Sequence, residues 1–271
     1  MNYRGQRHVC LNFEKLGKSL YDFLKANDYR GFKMRHIRSF GRQLLHAIKF
    51  CHGMKLVHTD LKPENILLEV SDYTLEKWGS RKDYRVPVYD GIRLIDFGGA
   101  TFEDDHHSRI INTRQYRSPE VILGLGWSYA SDIWSIGCIL AEFYTGDLLF
   151  KTHENMEHLA LMEKIIGRPL PEHMVLRAEK LHGNSSPDAK KSRHRRRSAS
   201  EDRIDEWIHK GRIRWPENAS SRASIARVEN AKKIEDEFRH KEFCDLLLHM
   251  LRFDQKKRPT AAEALKHKFF S

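Results

Sequence analysis

Cysteine is scarce in this chain. None of Cys10, Cys51, Cys138 and Cys244 sits at a Cys-x-x-Cys or other metal-ligand spacing. That excludes a disulfide framework and a zinc ribbon, and the four read as reduced, mostly buried thiols of an intracellular protein. No apolar run is long enough to cross a bilayer, no secretory leader is readable, and no segment repeats. The pair His106-His107 has no partner at ligand spacing and makes no metal site. Acidic residues are the minority, 37 against 48 basic, for a net charge of +11. Much of that excess is local: Ala189-Lys190-Lys191-Ser192-Arg193-His194-Arg195-Arg196-Arg197 carries six formal positive charges and no negative one. No aromatic residue lies near that run, which argues against direct nucleic-acid binding.

What is present describes a globular chain. Forty per cent of residues are hydrophobic and 10% aromatic, and 271 residues suffice for one large domain or two small ones with a real core. The pattern is helix-rich with short strands. A strand is expected over residues 8–14, breaking at Leu16-Gly17, then a helix from Ser19 to Lys25. A longer helix runs from about Lys33 to His52, because Ile37, Phe40, Leu44, Ile48 and Cys51 fall at three- and four-residue steps. Short strands follow at Ile66-Leu67-Leu68 and Ile92-Arg93-Leu94-Ile95, separated by a loop or irregular hairpin over 71–90. An apolar helix spans Ser131 or Asp132 to Tyr144 with Asp132 as its cap, and another covers Glu157 to Ile166. Residues 178–206 form a flexible basic Ser/Arg-rich insert, and the last helices lie near 235–251 and 261–267.

Three short motifs carry chemistry in this order. His58-Thr59-Asp60-Leu61-Lys62-Pro63-Glu64-Asn65 supplies an aspartate to orient a hydroxyl and, five residues on, an asparagine to hold a metal ion. Asp96-Phe97-Gly98 adds a hard oxygen ligand of the type Mg²⁺ prefers, and Ser118-Pro119-Glu120 follows. Each alone means little; their order and spacing resemble a protein kinase from about Cys10 to Phe270. Within kinases, Glu157-His158-Leu159-Ala160-Leu161-Met162-Glu163-Lys164-Ile165-Ile166-Gly167 is very similar to the signature of the LAMMER, or Cdc-like, dual-specificity kinases. Leu161 and Lys164 replace the usual Met and Arg. His58-Thr59-Asp60, Ala100-Thr101-Phe102 with His106-His107-Ser108, Thr113-Arg114-Gln115-Tyr116-Arg117 and Leu125-Gly126-Trp127-Ser128 resemble the same family.

The resemblance implies an α+β protein-kinase-like fold. It implies an ATP- and Mg²⁺-dependent kinase acting on Ser/Thr, and on Tyr by autophosphorylation, with Arg/Ser-rich splicing proteins as substrates. It places the protein in the nucleus, with the cytoplasm second, as a monomer without membrane contact. It assigns Asp60, Lys62, Asn65 and Thr113 to catalysis. Phe13, Glu14, Leu16, Leu67, Ile95 and Asp96 fall at the nucleotide, and Asn65 and Asp96 at the metal. Asp132 looks like the aspartate that anchors the catalytic loop, and Arg258 like the partner of Glu120. Glu64 and Glu142 are acidic positions that favour arginine near the target serine, with plain structural roles as the alternative. Arg195-Arg196-Arg197-Ser198-Ala199-Ser200 resembles a phosphosite or an import signal. Thr59 stands where many kinases carry an arginine that grips an activation-loop phosphate, so activity independent of such a phosphate is expected.

A glycine-rich Gly-x-Gly-x-x-Gly loop and a phosphate-anchoring lysine do not occur ahead of Phe13, where Arg4-Gly5-Gln6-Arg7 offers one glycine. The expectation is therefore a helical C-terminal lobe over 18–271 with residues 1–17 as a remnant of strands and hinge, the N-terminal β-lobe being largely absent. A truncated reading frame is the leading explanation. A short form acting as a binding or scaffold protein and a chain completed by another polypeptide stay open.

Overall fold

The computed structural model describes residues 2–3, 6–7, 10–79, 81–183 and 204–271. The basic run 189–197 and the phosphosite-like segment 195–200 lie outside them, as do residues 4–5 and 8–9. Two short strands, β1 (Asn2–Tyr3) and β2 (Gln6–Arg7), pair antiparallel, Asn2 opposite Arg7. This corrects two expectations. The β-lobe is not shown to be largely absent, since paired strands precede Cys10. Residues 10–18 carry no strand at all: they run as an irregular segment that Gly17 N–H and Lys18 C=O tie to the two backbone groups of Leu68, at 2.8 and 2.9 Å.

Helix α1 (Leu20–Ala26) starts at Ser19, whose hydroxyl accepts the Asp22 amide. Helix α2 (Met34–Gly53) buries Ile37, Phe40, Leu44, Ile48 and Cys51, the face its spacing prescribes. Next come β3 (Leu56–Val57), β4 (Ile66–Leu68), a hairpin of β5 (Tyr73–Trp78) and β6 (Arg81–Pro87), β7 (Ile92–Leu94) and β8 (Thr101–Phe102). β4 pairs with β7 and β3 with β8, both antiparallel. These two small ladders hold the loops 58–65 and 95–100 side by side. The 71–90 segment is thus an ordered hairpin packed on α2's start, where Lys33 and Arg35 bond Glu76.

After the short helix α3 (Pro119–Ile122), the centre of the core is α4 (Ala130–Thr145), buried on every side through Phe143, with Trp134 stacked on Phe150 at 5.8 Å. Its surface is mostly apolar, as a central helix needs, and its buried Asp132, Ser135 and Glu142 are each hydrogen-bonded. Helix α5 (Asn155–Ile166) ends at Gly167, whose φ of 78° suits the left-handed cap. Helix α6 (Glu172–Gly183) was not expected: it makes the first six residues of the supposed flexible insert helical. The remaining chain forms the pair β9 (Ile208–His209) and β10 (Arg212–Ile213), then helices at Arg222–Asn230, Ile234–Glu237, Lys241–Met250 and Ala261–Ala264. The helix expected at 235–251 is two helices, broken where Phe238 turns into the core and its carbonyl accepts from the Cys244 thiol at 2.8 Å. Among the described residues no helix is long and apolar enough to cross a membrane.

Candidate active site

Asp132, in the first turn of α4, is wholly buried and does not cap that helix, contrary to one expectation. Its Oδ1 accepts the Thr59 amide at 3.1 Å and its Oδ2 accepts the His58 amide at 3.0 Å. His52, near the end of α2, places Nε2 2.9 Å from Oδ2. The carboxylate thus spends its lone pairs on the loop that precedes Asp60. Thr59 takes a left-handed φ of 68°, which costs a β-branched residue about 1 kcal/mol or more. The Asp132 bond and the bond from Thr59 Oγ1 to Gly99 C=O, 2.7 Å, hold it there.

That turn brings three side chains together. Asp60 Oδ2 accepts from Lys62 Nζ at 2.6 Å, and Oδ1 accepts from the Thr113 hydroxyl at 2.8 Å and the Thr113 amide at 3.2 Å. Lys62 Nζ also reaches Thr113 Oγ1 at 3.4 Å. Burial opposes ionisation of Asp60, but Lys62 and Thr113 outweigh it, so its carboxyl sits below the ordinary range. The cluster is an ionised carboxylate with a cation and a hydroxyl at its edge, all part-buried.

Asn65, nearly buried, donates its amide to Asp60 C=O at 2.9 Å, and its own backbone C=O accepts from Ile95 N–H at 2.9 Å. This second bond carries the β4–β7 pairing one step further and sets Asp96 next to the catalytic loop. Asp96 is exposed with φ 66°, and among the described residues its carboxylate is bonded only to the Gly98 amide, at a long 3.4 Å. The Asn65 side-chain oxygen and the Asp96 carboxylate are hard oxygens, the donor type that Mg²⁺ takes. His58 packs on Phe97 at 4.9 Å and bonds Ile95 C=O at 3.1 Å.

The nucleotide candidates are less gathered. Leu16, Leu67 and Ile95 are each half-buried, and the chain neighbours of the first two are joined by the bond from Gly17 N–H to Leu68 C=O at 2.8 Å. Glu14 is exposed, and Phe13 is 78% exposed rather than set at the back of a pocket.

Sequence reasoning missed Asn112. Its backbone and side-chain amides both donate to Thr59 C=O at 2.9 Å, and its Oδ1 accepts from Ser131 at 3.0 Å. No motif marks it; only its place one residue before Thr113 would have drawn attention. Arg258 and Glu120 form a two-pronged pair, 2.7 and 2.6 Å, with both side chains fully buried. Glu142 accepts from Tyr116 OH at 2.7 Å; burial, with Glu64 adding to it, pushes its carboxyl up to about 7. In α5, Glu157 holds Arg227 at 2.8 and 2.9 Å and accepts from Ser224, while the buried His158 has both ring nitrogens unbonded.

A protein kinase domain profile matches residues 2–270. Serine/threonine-protein kinase AFC2 of Arabidopsis thaliana is 43% identical over 98% of this chain, and dual specificity protein kinase CLK1 of Mus musculus 44% over 97%. The chain spans 60% and 50% of the lengths of these two relatives. A crystal structure of a kinase domain superposes with a TM-score of 0.83 at 44% identity, covering 96% of this chain and 72% of the other.

Proposed function

The chain belongs to the protein kinase domain family, and from that premise we propose that it phosphorylates serine and threonine in proteins, and tyrosine on itself. The observation that carries the reading is the Asp60–Lys62–Thr113 cluster, ionised and held by Asp132. Asp60 would orient the substrate hydroxyl and accept its proton, and Lys62 would lie at the transferred phosphate. ATP with Mg²⁺ supplies the phosphoryl group. Asn65 and Asp96 would hold the ion, and Phe13, Glu14, Leu16, Leu67 and Ile95 would line the nucleotide. Thr59, bonded to Gly99 and Asn112, leaves no cation there for an activation-loop phosphate, which supports activity without one.

Substrates are Arg/Ser-rich proteins by this reading, as the resemblance to the LAMMER kinases implies. Glu64 and Glu142 support it: the Glu64 charge is near enough to help raise the Glu142 carboxyl, and two neighbouring carboxyls make a favourable place for a guanidinium. Action in the nucleus as a monomer completes the reading. A phosphotransfer assay of this chain on an Arg/Ser peptide tests it, with Asp96→Ala as control. Transfer that Asp96→Ala leaves unchanged sinks the assignment. The second reading, a kinase-fold binding protein, is favoured by the exposed Phe13. It predicts no ATP binding by equilibrium titration.

A further inference from the structure

Behind the catalytic loop, away from Asp60, lies a pocket of about 510 Å³ between the end of α2, the start of α4 and the segment 255–262. Its size is ordinary for a small-molecule site. Ile133, Ala130, Pro259 and Ala261 give it apolar walls. Its charged lining is all of one sign: Lys49, Lys256 and Arg258, with His52 beside them and no carboxylate among the lining residues. Arg258 is committed to Glu120 and His52 Nε2 to Asp132, whereas the ammonium groups of Lys49 and Lys256 have no ionic partner among the described residues.

One wall touches the catalytic machinery. His52 is 13% exposed and packs on Tyr129 at 4.8 Å, with Tyr129 itself a lining residue. The next bond inward is to Asp132, and the two after it are the amides of His58 and Thr59. An occupant therefore sits one side chain away from the carboxylate that shapes the catalytic loop.

We propose that this pocket binds a small anionic ligand, one carboxylate or phosphate on an apolar body, and that its occupancy firms the catalytic loop through His52 and Asp132. The anion meets Lys49 and Lys256, and the body fills the space against Ile133 and Pro259. A ligand favours whichever conformer it contacts better, so one packed against the ring of His52 selects the state in which Nε2 is bonded to Asp132.

The test uses the 271-residue chain with phenylphosphate, benzoate and neutral benzyl alcohol as probes. Binding is followed by NMR titration, and amide hydrogen exchange is followed in the peptide containing His58 and Thr59. Both anions are expected to bind saturably and the alcohol about tenfold more weakly; the tighter anion names the ligand group. The double variant K49E/K256E should weaken both anions about tenfold, which separates this pocket from phosphate binding at the nucleotide site. Exchange at His58 and Thr59 should slow at saturation, a readout that does not require kinase activity. Absence of saturable anion binding, equal binding by K49E/K256E, or full occupancy with unchanged exchange would each overturn the proposal.

Discussion

The pair Arg258–Glu120 offers a sharp energetic test, because its two ends are unequally dependent on each other. Arg258 makes five hydrogen bonds. Two go to Glu120, and the others to the carbonyls of Arg252, Ala130 and Phe253 at 2.7, 2.8 and 3.0 Å. Its guanidinium also lies 5.1 Å from the Trp134 ring centre. Breaking a buried ion pair from one side costs about 3–5 kcal/mol. In Glu120→Gln the guanidinium keeps three carbonyl acceptors and one amide oxygen, so the loss should fall at the low end, about 3 kcal/mol. In Arg258→Met the carboxylate is stranded and three carbonyls lose their donor, each adding about 1 kcal/mol, so about 5 kcal/mol or more is expected. Denaturant unfolding of both variants and of Glu120→Leu/Arg258→Met measures this. The double variant should be more stable than Arg258→Met alone, since no charge is left buried. Equal losses in the two single variants, or a double variant less stable than either, would refute the reasoning.

Three further outcomes follow from the titrating groups. Glu142 is raised to about 7, so the stability it permits is full below its unfolded value of 4.5 and is lost as pH rises toward 7. Glu142→Gln, which keeps an acceptor for Tyr116, should flatten that window and gain about 3 kcal/mol at alkaline pH, read from melting curves across pH. His158 is lowered to about 3 by burial, with Arg117 and Arg114 adding to it, so its stability is full above 6.5 and lost as pH falls toward 3. His158→Leu should gain about 2 kcal/mol near pH 5, and an unaltered acid transition would count against this. Thr113→Val removes a hydroxyl that holds Asp60 below its ordinary range, so the acidic limb of the phosphotransfer profile should move to higher pH. A limb that stays in place would mean Asp60 does not govern it.

Much of the site was legible because it is local. Asp60, Lys62 and Asn65 sit within one short loop that ends in a single helical turn at Pro63–Asn65, and spacing alone brings them near each other. Thr113 came from the family resemblance, and its hydroxyl does meet Asp60. The α2 face and the cap at Gly167 were equally readable, since helical periodicity and a glycine stop are properties of a few consecutive residues. Phe13 and the strand around it were not. A hydrophobic residue in a short apolar run reads as buried, but its burial depends on neighbours the run does not name.

The sequence by itself determined the order of chemical parts: the loop carrying Asp60, the Asp96-Phe97-Gly98 motif, a signature helix and an arginine that needs a buried partner. Tertiary structure alone decided what Asp132 does. An aspartate in the first turn of a helix satisfies a cap pattern as readily as any other role. It turned inward because the amides of His58 and Thr59, more than seventy positions upstream, arrive there buried and in need of acceptors, and the carboxyl oxygens of Asp132 lie within reach of both. The same folding put His52 between that carboxylate and an open pocket, a placement that follows from how α2 crosses α4 and from nothing in either helix alone.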